Sequence, residues 1–132
     1  MNKMRSLDQF SKKQYLNLET FRQSGVGVRT PVWFCQVEDS LYIMTLACSG
    51  KVKRIHNDGH VNIAPCKMDG TLTGNWSPAH AQEILDPKTV QKVNRLLDKK
   101  YGLLKKLFRL SSSNPERPST ILEIKLSERK SK

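Results

Sequence analysis

Short apolar runs joined by very short polar turns are the feature that most limits what this chain can fold into. Residues 26–37 (VGVRTPVWFCQV) and 41–46 (LYIMTL) are rich in β-branched and aromatic residues, and only the tripeptide EDS at 38–40 lies between them. Two such runs around a short polar segment predict an antiparallel β-hairpin. Pro31 has no N–H to give to a sheet, so it marks a strand edge or a bulge.

The same pattern continues along the chain. Residues 60–67 (HVNIAPCK) alternate apolar and polar side chains before a turn at 68–70. Residues 71–76 (TLTGNW) begin a returning strand that runs on through 79–85, and residues 120–126 (TILEIKL) alternate again. About six strands joined mostly by tight turns predict a mainly β fold, an antiparallel barrel with peripheral helices.

Three segments have the features of helices. Residues 8–23 place large apolar side chains at every third position, which favours an amphipathic helix. Residues 49–57 (SGKVKRIHN) are short enough for a helical turn or a single small helix. Asp86-Pro87 supplies an N-cap and a first-turn proline for a longer helix, and Gly102 predicts a break in it.

The size of the chain favours one domain over residues 1–132, with a disordered tail at 127–132. Hydrophobic residues make up 37% and charged residues 27%, a composition typical of a folded protein. No apolar run approaches the roughly 18 residues of a membrane-spanning helix, and the first residues lack the apolar stretch of a signal peptide. We therefore expect a cytoplasmic protein.

Metal and nucleophile motifs are missing from the sequence. Cys35, Cys48 and Cys66 are odd in number and have no C-x-x-C spacing, so reduced thiols are expected instead of disulfides or a zinc site. The three histidines show neither H-x-x-x-H on one helix nor H-E-x-x-H. The sequence also has no Gly-x-Ser-x-Gly elbow and no Walker or Rossmann glycine pattern. Catalytic residues therefore stay unassigned.

The charge balance indicates an anionic partner. The chain has 23 Lys and Arg against 12 Asp and Glu, a formal net charge of +11, and residues 99–132 hold ten basic and three acidic residues. Nucleic acid, an acidic membrane surface and a phosphate-bearing cofactor all fit such a surplus. Residues 104–110 form a basic amphipathic segment that suits either of the first two, or a core-facing helix with its lysines in water.

The sharpest local signal is the segment SGKVKR at 49–54. A Ser-Gly step after a strand exposes backbone N–H groups at a helix start, where unpaired donors and the helix dipole favour an anion. Lys51, Lys53 and Arg54 add three positive charges within four residues. The segment predicts a phosphate site, and the alternative is a solvated basic helix face.

Three further side chains allow two interpretations each. Arg29 lies within an apolar run, and because arginine is seldom buried without a partner it reaches either solvent or an anion. Trp33 and Trp76 fall on different predicted strands. Each is either a core residue of a small barrel or an amphipathic ring that stacks on a flat ligand.

The order and spacing of these segments resemble the pyridoxamine 5′-phosphate oxidase-like split β-barrel flavoproteins, and most closely their PPOX-class, coenzyme F420-dependent branch. The similarity covers roughly residues 13–126. It is carried by TPVWF at 30–34, LYIMT at 41–45, SGKVKRI at 49–55, VNIAPC at 61–66, GTLTGNW at 70–76 and PSTILEIKL at 118–126. The resemblance implies a six-stranded antiparallel split β-barrel of the FMN-binding type.

It also implies a homodimer with two cofactor sites at the interface, and coenzyme F420 as the cofactor, with FMN as the alternative. Arg29 matches the arginine that opens the cofactor motif of the second strand. Pro31 and Val32 match the stretch whose backbone follows the pyrimidine edge of the ring. Thr45 matches the threonine that ends the next strand near the phosphate.

The remaining implied cofactor residues lie farther along the chain. Those at the start of the short helix are Ser49, Gly50, Lys51, Lys53 and Arg54. Lys51 matches the phosphate-binding lysine, Gly50 lies beside it, and Lys53 and Arg54 match further basic positions of the deazaflavin branch. An arginine is common in the oxidases where Gly50 stands here. Asn75 and Trp76 fall where the second subunit borders the site.

The function expected from this resemblance is hydride transfer between the bound cofactor and a small-molecule substrate. The oxidases have an extended C-terminal substrate-binding end that is not seen after the last predicted strand, so pyridoxamine phosphate oxidation is not expected. A non-enzymatic flavin carrier or sensor is the alternative. A basic binder of nucleic acid or membrane is less favoured, and neither partner is expected.

Overall fold

A computed structural model describes residues 7–102 and 119–127. The elements in chain order are β1 (Tyr15–Phe21), β2 (Gly27–Val32), β3 (Cys35–Val37), β4 (Ser40–Leu46), α1 (Gly50–Asn57), β5 (His60–Cys66), β6 (Ser77–Ile84), α2 (Pro87–Tyr101) and β7 (Ser119–Leu126). Predictions for residues 104–110, for the loop at 111–118 and for the tail at 128–132 lie outside the described residues.

The strands form one antiparallel sheet in the order β2-β1-β5-β6-β7-β4-β3. Its two edge strands, β2 and β3, are consecutive in the chain, with only Trp33 and Phe34 between them. Three residue steps span at most about 10 Å, so the sheet must curl until its edges come together. The predicted mainly β antiparallel barrel is confirmed.

Alternating side chains of the strands fill the barrel. The interior is apolar and almost completely shielded from solvent: Leu16, Leu18, Leu41, Ile43, Val61, Ile63, Ala79, Ala81, Leu122 and Ile124. Val52 and Ile55 of α1 join this core at one end. At the other end the rings of Phe10 and Phe34 meet edge to face, with centroids 6.0 Å apart. Each large buried side chain contributes about 1.5–3 kcal/mol to folding.

The second helix, α2, covers part of the outside of the sheet. Its buried residues Val93, Leu97 and Tyr101 pack in one cluster with Cys35 and Ile121 of the sheet. The helix begins as predicted, because the Asp86 carboxylate accepts a hydrogen bond from the N–H of Thr89 at 3.1 Å. Gly102 ends it with a φ of 50°. Trp33 is partly buried against this outer cluster, and its ring stacks on Tyr101 with the centroids 4.3 Å apart.

The helix predicted over 8–23 is wrong. Leu7 and Asp8 are helical, turns follow, and β1 begins at Tyr15. Leu16, Leu18 and Thr20 alternate into the interior, which is the period of a strand. β1 pairs with β2 on one side and with β5 on the other, and hydrogen bonding along both edges overrides the weak local helical pattern.

Two strand predictions change in detail, and the sheet has seven strands where about six were expected. The run at 26–37 is divided into β2 and β3 at Trp33-Phe34. The stretch at 71–76 contributes only an isolated bridge, Cys66 to Leu72, and β6 begins at Ser77. The amide of Gln9 explains part of this, because it donates to the carbonyl of Asn75 at 2.9 Å and accepts from its N–H at 3.0 Å. A side chain thus takes the bonds that a strand neighbour would otherwise make.

Candidate functional site

The predicted phosphate segment forms the start of α1, which lies across one end of the barrel. Ser49 is the N-cap, and its Oγ accepts from the N–H of Val52 at 3.5 Å. The first N–H groups of a helix have no acceptor within the helix. Val52 and Ile55 are buried beneath the helix, which fixes α1 with its N-terminus at the barrel rim.

Below α1, the inward positions of four strands change from apolar to polar. These positions are Thr20 of β1, Thr45 of β4, Glu83 of β6 and Thr120 of β7. Thr45 lies directly opposite Thr120 in the β4–β7 register. Thr120 donates to Glu83, which lowers the pKa of the Glu83 carboxyl, and His56 of α1 lies 2.7 Å from its other oxygen. The rim beneath α1 is therefore hydrophilic.

Three basic side chains gather at this rim, and we call Arg22, Lys51 and Arg54 the α1 basic cluster. Arg54 donates from Nε to the hydroxyl of Thr20 at 2.7 Å. Burial lowers the pKa of Lys51, and the nearby charge of Arg54 lowers it further. Burial also lowers the pKa of Arg54, with a smaller contribution from the charge of Arg22. Arg54 therefore lies close enough to Lys51 on one side and to Arg22 on the other for like charges to repel.

No carboxylate neutralises the α1 basic cluster within residues 7–102 and 119–127. In this part of the chain Arg29 forms an ion pair with Glu19, and the imidazoles of His56 and His60 lie against the carboxylates of Glu83 and Asp58. Withdrawing cations from water without a partner costs free energy. A bound anion would offset that cost.

Arg29, in contrast, has a carboxylate partner. Its Nε lies 3.1 Å from Glu19, directly across the β1–β2 register, and its side chain is 59% exposed. The guanidinium carbon stands 4.9 Å from the ring centre of Trp76. Glu19 also accepts from the amide of Asn62 at 3.0 Å. Arg29 thus belongs to a polar network on the outer face of the sheet.

The other predicted residues take different positions. Pro31 lies opposite Asn17 on the outer face, and the turn at Gly70 (φ 94°) folds over both, with Asn17 Nδ2 donating to the Gly70 carbonyl at 3.1 Å. The buried Oδ1 of Asn17 has no hydrogen-bond partner in the described chain. Val32 packs against the barrel core. Lys53 is exposed on α1.

The structure therefore divides the predicted site between two faces. Glu19 and Thr20 are neighbours on β1, and their side chains point to opposite faces of the β1–β2 hairpin. Arg29 contacts Glu19 on the outer face, and Arg54 contacts Thr20 on the inner face. Sequence reasoning missed Thr20 and Arg22, because both fall in the segment that was predicted as a helix.

Comparisons with known proteins show the fold. No family model and no curated protein matches the sequence. Among solved structures, a protein from Listeria innocua assigned as a pyridoxamine 5′-phosphate oxidase superposes with a TM-score of 0.66 over 97% of this chain and 95% of its own, at 10% identity. This chain has the split-barrel fold of the pyridoxamine 5′-phosphate oxidase-like proteins.

Other split barrels of this group are similar as well. The heme storage protein HutZ from Vibrio cholerae gives a TM-score of 0.71 at 10% identity and covers 96% of this chain and 90% of its own. An F420 reductase gives 0.59 at 15% identity, covering 92% of this chain and 93% of its own. These neighbours differ in what they bind and do, so they establish the split barrel alone.

The described residues also fit a phosphate-bearing group. Lys51 and Arg54 supply positive charge, the start of α1 supplies N–H donors, and Thr45 lies on the polar rim. Within the described ranges, His, Cys, Asp and Glu form no group of three placed to hold a metal ion. Neither helix of that part of the chain has the length and apolar composition needed to cross a membrane.

Proposed function

We propose that this protein is an oxidoreductase that binds a phosphate-bearing flavin or deazaflavin, with coenzyme F420 as the first candidate and FMN as the alternative. The observation that carries the proposal is the α1 basic cluster, which sits at a helix N-terminus without a carboxylate partner in the described chain. A split-barrel neighbour that is an F420 reductase supports the same cofactor class.

In this proposal the residues of the chain bind and orient the cofactor. Lys51 and Arg54 would hold the phosphate together with the first N–H groups of α1, and Thr45 would line the rim beside it. Lys53 faces solvent, where it suits the acidic tail of the deazaflavin. The bound cofactor supplies hydride chemistry, and the protein positions its ring and limits access of water.

The outer face suits the partner subunit of the homodimer that we also propose. Met68 and Leu72 leave 71% and 38% of their surface exposed on the segment that leads to Trp76. A partner subunit packed on this segment would remove their apolar surface from water. Asn75, Trp76 and Arg29 would then border the second site across the interface. Light scattering during gel filtration tests this proposal, and a monomer at micromolar concentration would contradict it.

A cytoplasmic location and a small-molecule substrate complete the proposal. Cys35, Cys48 and Cys66 form no disulfide, as suits a reducing compartment. Neither nucleic acid nor a membrane is proposed as a partner.

The experiment is a titration of the purified protein with F420 and, separately, with FMN. Binding is measured by the quenching of the fluorescence of its two tryptophans. Lys51→Ala should weaken binding by about 1.5–3 kcal/mol, roughly 10- to 150-fold, because a charge-assisted contact is lost. Lys92→Ala removes the same charge from an exposed site on α2 and serves as the matched control. Equal dissociation constants for Lys51→Ala and wild type would contradict the site.

A non-enzymatic carrier is the second candidate, and the similarity to a heme storage protein favours it. The two candidates differ in turnover. An oxidoreductase should oxidise or reduce its bound cofactor with a suitable small molecule faster than the free cofactor reacts. A panel of acceptors tested under single-turnover conditions separates them, and rates equal to those of the free cofactor would favour the carrier.

A further inference from the structure

The hydroxyl of Thr20 occupies an unusual place in the barrel. The inward positions before it on β1 are Leu16 and Leu18, and all three side chains are almost completely buried. A buried hydroxyl is unfavourable unless it is hydrogen-bonded. Its hydrogen-bond partner is the Nε of Arg54, at 2.7 Å, contributed by a residue 34 positions away.

The remaining donors of Arg54 are not used by the described protein. A guanidinium has five N–H donors in a fixed plane, and Nε accounts for one of them. The Nη1 and Nη2 groups of Arg54 make no hydrogen bond or ion pair within residues 7–102 and 119–127. Thr20 thus fixes one edge of the guanidinium and leaves the edge that can form two parallel bonds to an anion.

Gly50 leaves room for that guanidinium. A Cβ built on Gly50 would stand 2.7 Å from Nη1 and 3.6 Å from Nη2 of Arg54. The φ of Gly50 is not positive, so the backbone itself does not require a glycine here. The guanidinium instead fills the space that a side chain at the first residue of α1 would take. The guanidinium therefore lies over the first residue of the helix.

We propose that Thr20 is a positioning residue that, together with the space over Gly50, holds the Arg54 guanidinium at the N-terminus of α1 as part of the phosphate site. The inference rests on the proposed function and goes further, because it names what orients the arginine. It implies that Thr20 and Gly50 determine preference for phosphate-bearing ligands over their phosphate-free counterparts, although neither carries charge.

The test compares FMN with riboflavin, and F420 with its phosphate-free deazaflavin, in wild type, Thr20→Val, Thr20→Ser and Gly50→Ala. Calorimetry gives the dissociation constants, and denaturant unfolding of each variant gives its stability. Thr20→Val should weaken binding of the phosphate-bearing ligand about tenfold, since one charge-assisted contact loses its geometry. The dissociation constant of the phosphate-free ligand should stay within about twofold of the wild-type value. Thr20→Ser keeps a hydroxyl and should bind the phosphate-bearing ligand nearly as tightly as wild type.

Gly50→Ala separates positioning of the arginine from a merely structural role, because the two predict different changes in affinity and stability. The new methyl group meets only the flexible end of Arg54, so the guanidinium moves and the helix does not. We expect about tenfold weaker binding of the phosphate-bearing ligand, with an unfolding midpoint equal to or above that of wild type. If Thr20→Val fails to fold, Gly50→Ala alone decides the question.

The failures of the two proposals are distinguishable. If Lys51→Ala loses the preference for phosphate while Thr20→Val and Gly50→Ala keep it, the positioning role is wrong and the proposed function stands. If wild type shows no preference for the phosphate-bearing member of either pair, the proposed function is wrong and the positioning role falls with it.

Discussion

Lys51 and Lys100 are both half-buried lysines whose pKa is lowered mainly by burial, and they differ in what surrounds the ammonium group. Lys100 donates to the carbonyl of Phe34 at 2.8 Å and lies 3.6 Å from the centre of its ring. Lys51 has no hydrogen bond within the described chain and faces the positive charge of Arg54. Burial alone therefore does not identify a ligand-binding lysine. The groups that surround its ammonium group distinguish the two cases.

The surroundings of Lys100 form a structural clamp. The hydroxyl of Tyr101 accepts from the N–H of Phe34 at 3.0 Å, and it faces the carbonyls of Gln14 at 2.7 Å and Phe34 at 3.1 Å. Trp33 stacks on the same tyrosine. These contacts hold the bend between β2 and β3, where the two edges of the sheet are joined. The end of α2 thus stabilises the barrel, and the start of α1 presents its cations.

Among the variants that test this comparison of the clamp with the site, Tyr101→Phe should have the largest effect on stability. The change leaves the buried N–H of Phe34 without its acceptor, so the free energy of unfolding should fall by about 1–3 kcal/mol. The affinity for FMN or F420 should not change, because the clamp is separate from the α1 basic cluster. Denaturant unfolding and the same titration check both parts. A more than threefold loss of affinity would contradict the division into a clamp and a site.

A smaller effect is expected from the titration of Lys100. Burial lowers its pKa from 10.5 to about 8, so between these values the unfolded chain binds a proton that the folded protein has released. The free energy of unfolding of wild type, relative to Lys100→Met, should therefore rise from pH 8 to pH 10.5. We expect a rise of about 1 kcal/mol, because water screens a half-exposed group.

Lys99→Met is the matched control for this measurement, since Lys99 is the exposed neighbour on the same helix turn. Lys99→Met should leave the free energy of unfolding close to that of wild type, because an exposed side chain contributes little to it. Parallel curves for wild type and Lys100→Met would contradict the effect of burial on Lys100, and the comparison with Lys51 would lose its basis.

The smallest effect is expected from Arg29→Gln. An exposed ion pair contributes about 0.2–1 kcal/mol, so stability should change little. Affinity for the phosphate-bearing ligand should fall less than in Lys51→Ala, because Glu19 already neutralises Arg29. Titration of Arg29→Gln and Lys51→Ala with the same phosphate-bearing ligand compares the two losses of affinity. An equal loss would place the phosphate on the outer face of the β1–β2 hairpin.

Local sequence signals gave correct elements wherever the interactions are close in sequence. The β3–β4 hairpin, the start of α1 after Ser49 and the Asp86 cap of α2 all depend on residues two to four positions apart. They follow from turn chemistry and capping, which act within one segment. The final strand was likewise predicted from its alternation.

The error over residues 8–23 has the opposite origin. Tyr15, Leu18 and Phe21 suit a helix face, yet β1 is hydrogen-bonded on both edges to strands that lie far along the chain. The hidden signal was the alternation of Leu16, Leu18 and Thr20, which is too short to compete with the period of three when one segment is considered alone.

For the candidate site, the sequence by itself determined the donors: the Ser-Gly step, Lys51, Lys53 and Arg54 at the start of a short helix. Only the tertiary structure decided which cations share a site and which are neutralised. The contact of Arg54 with Thr20, and that of Arg29 with Glu19, are set by strand register, which assigns neighbouring residues of β1 to opposite faces. Register depends on pairing between distant segments, so no local pattern fixes it.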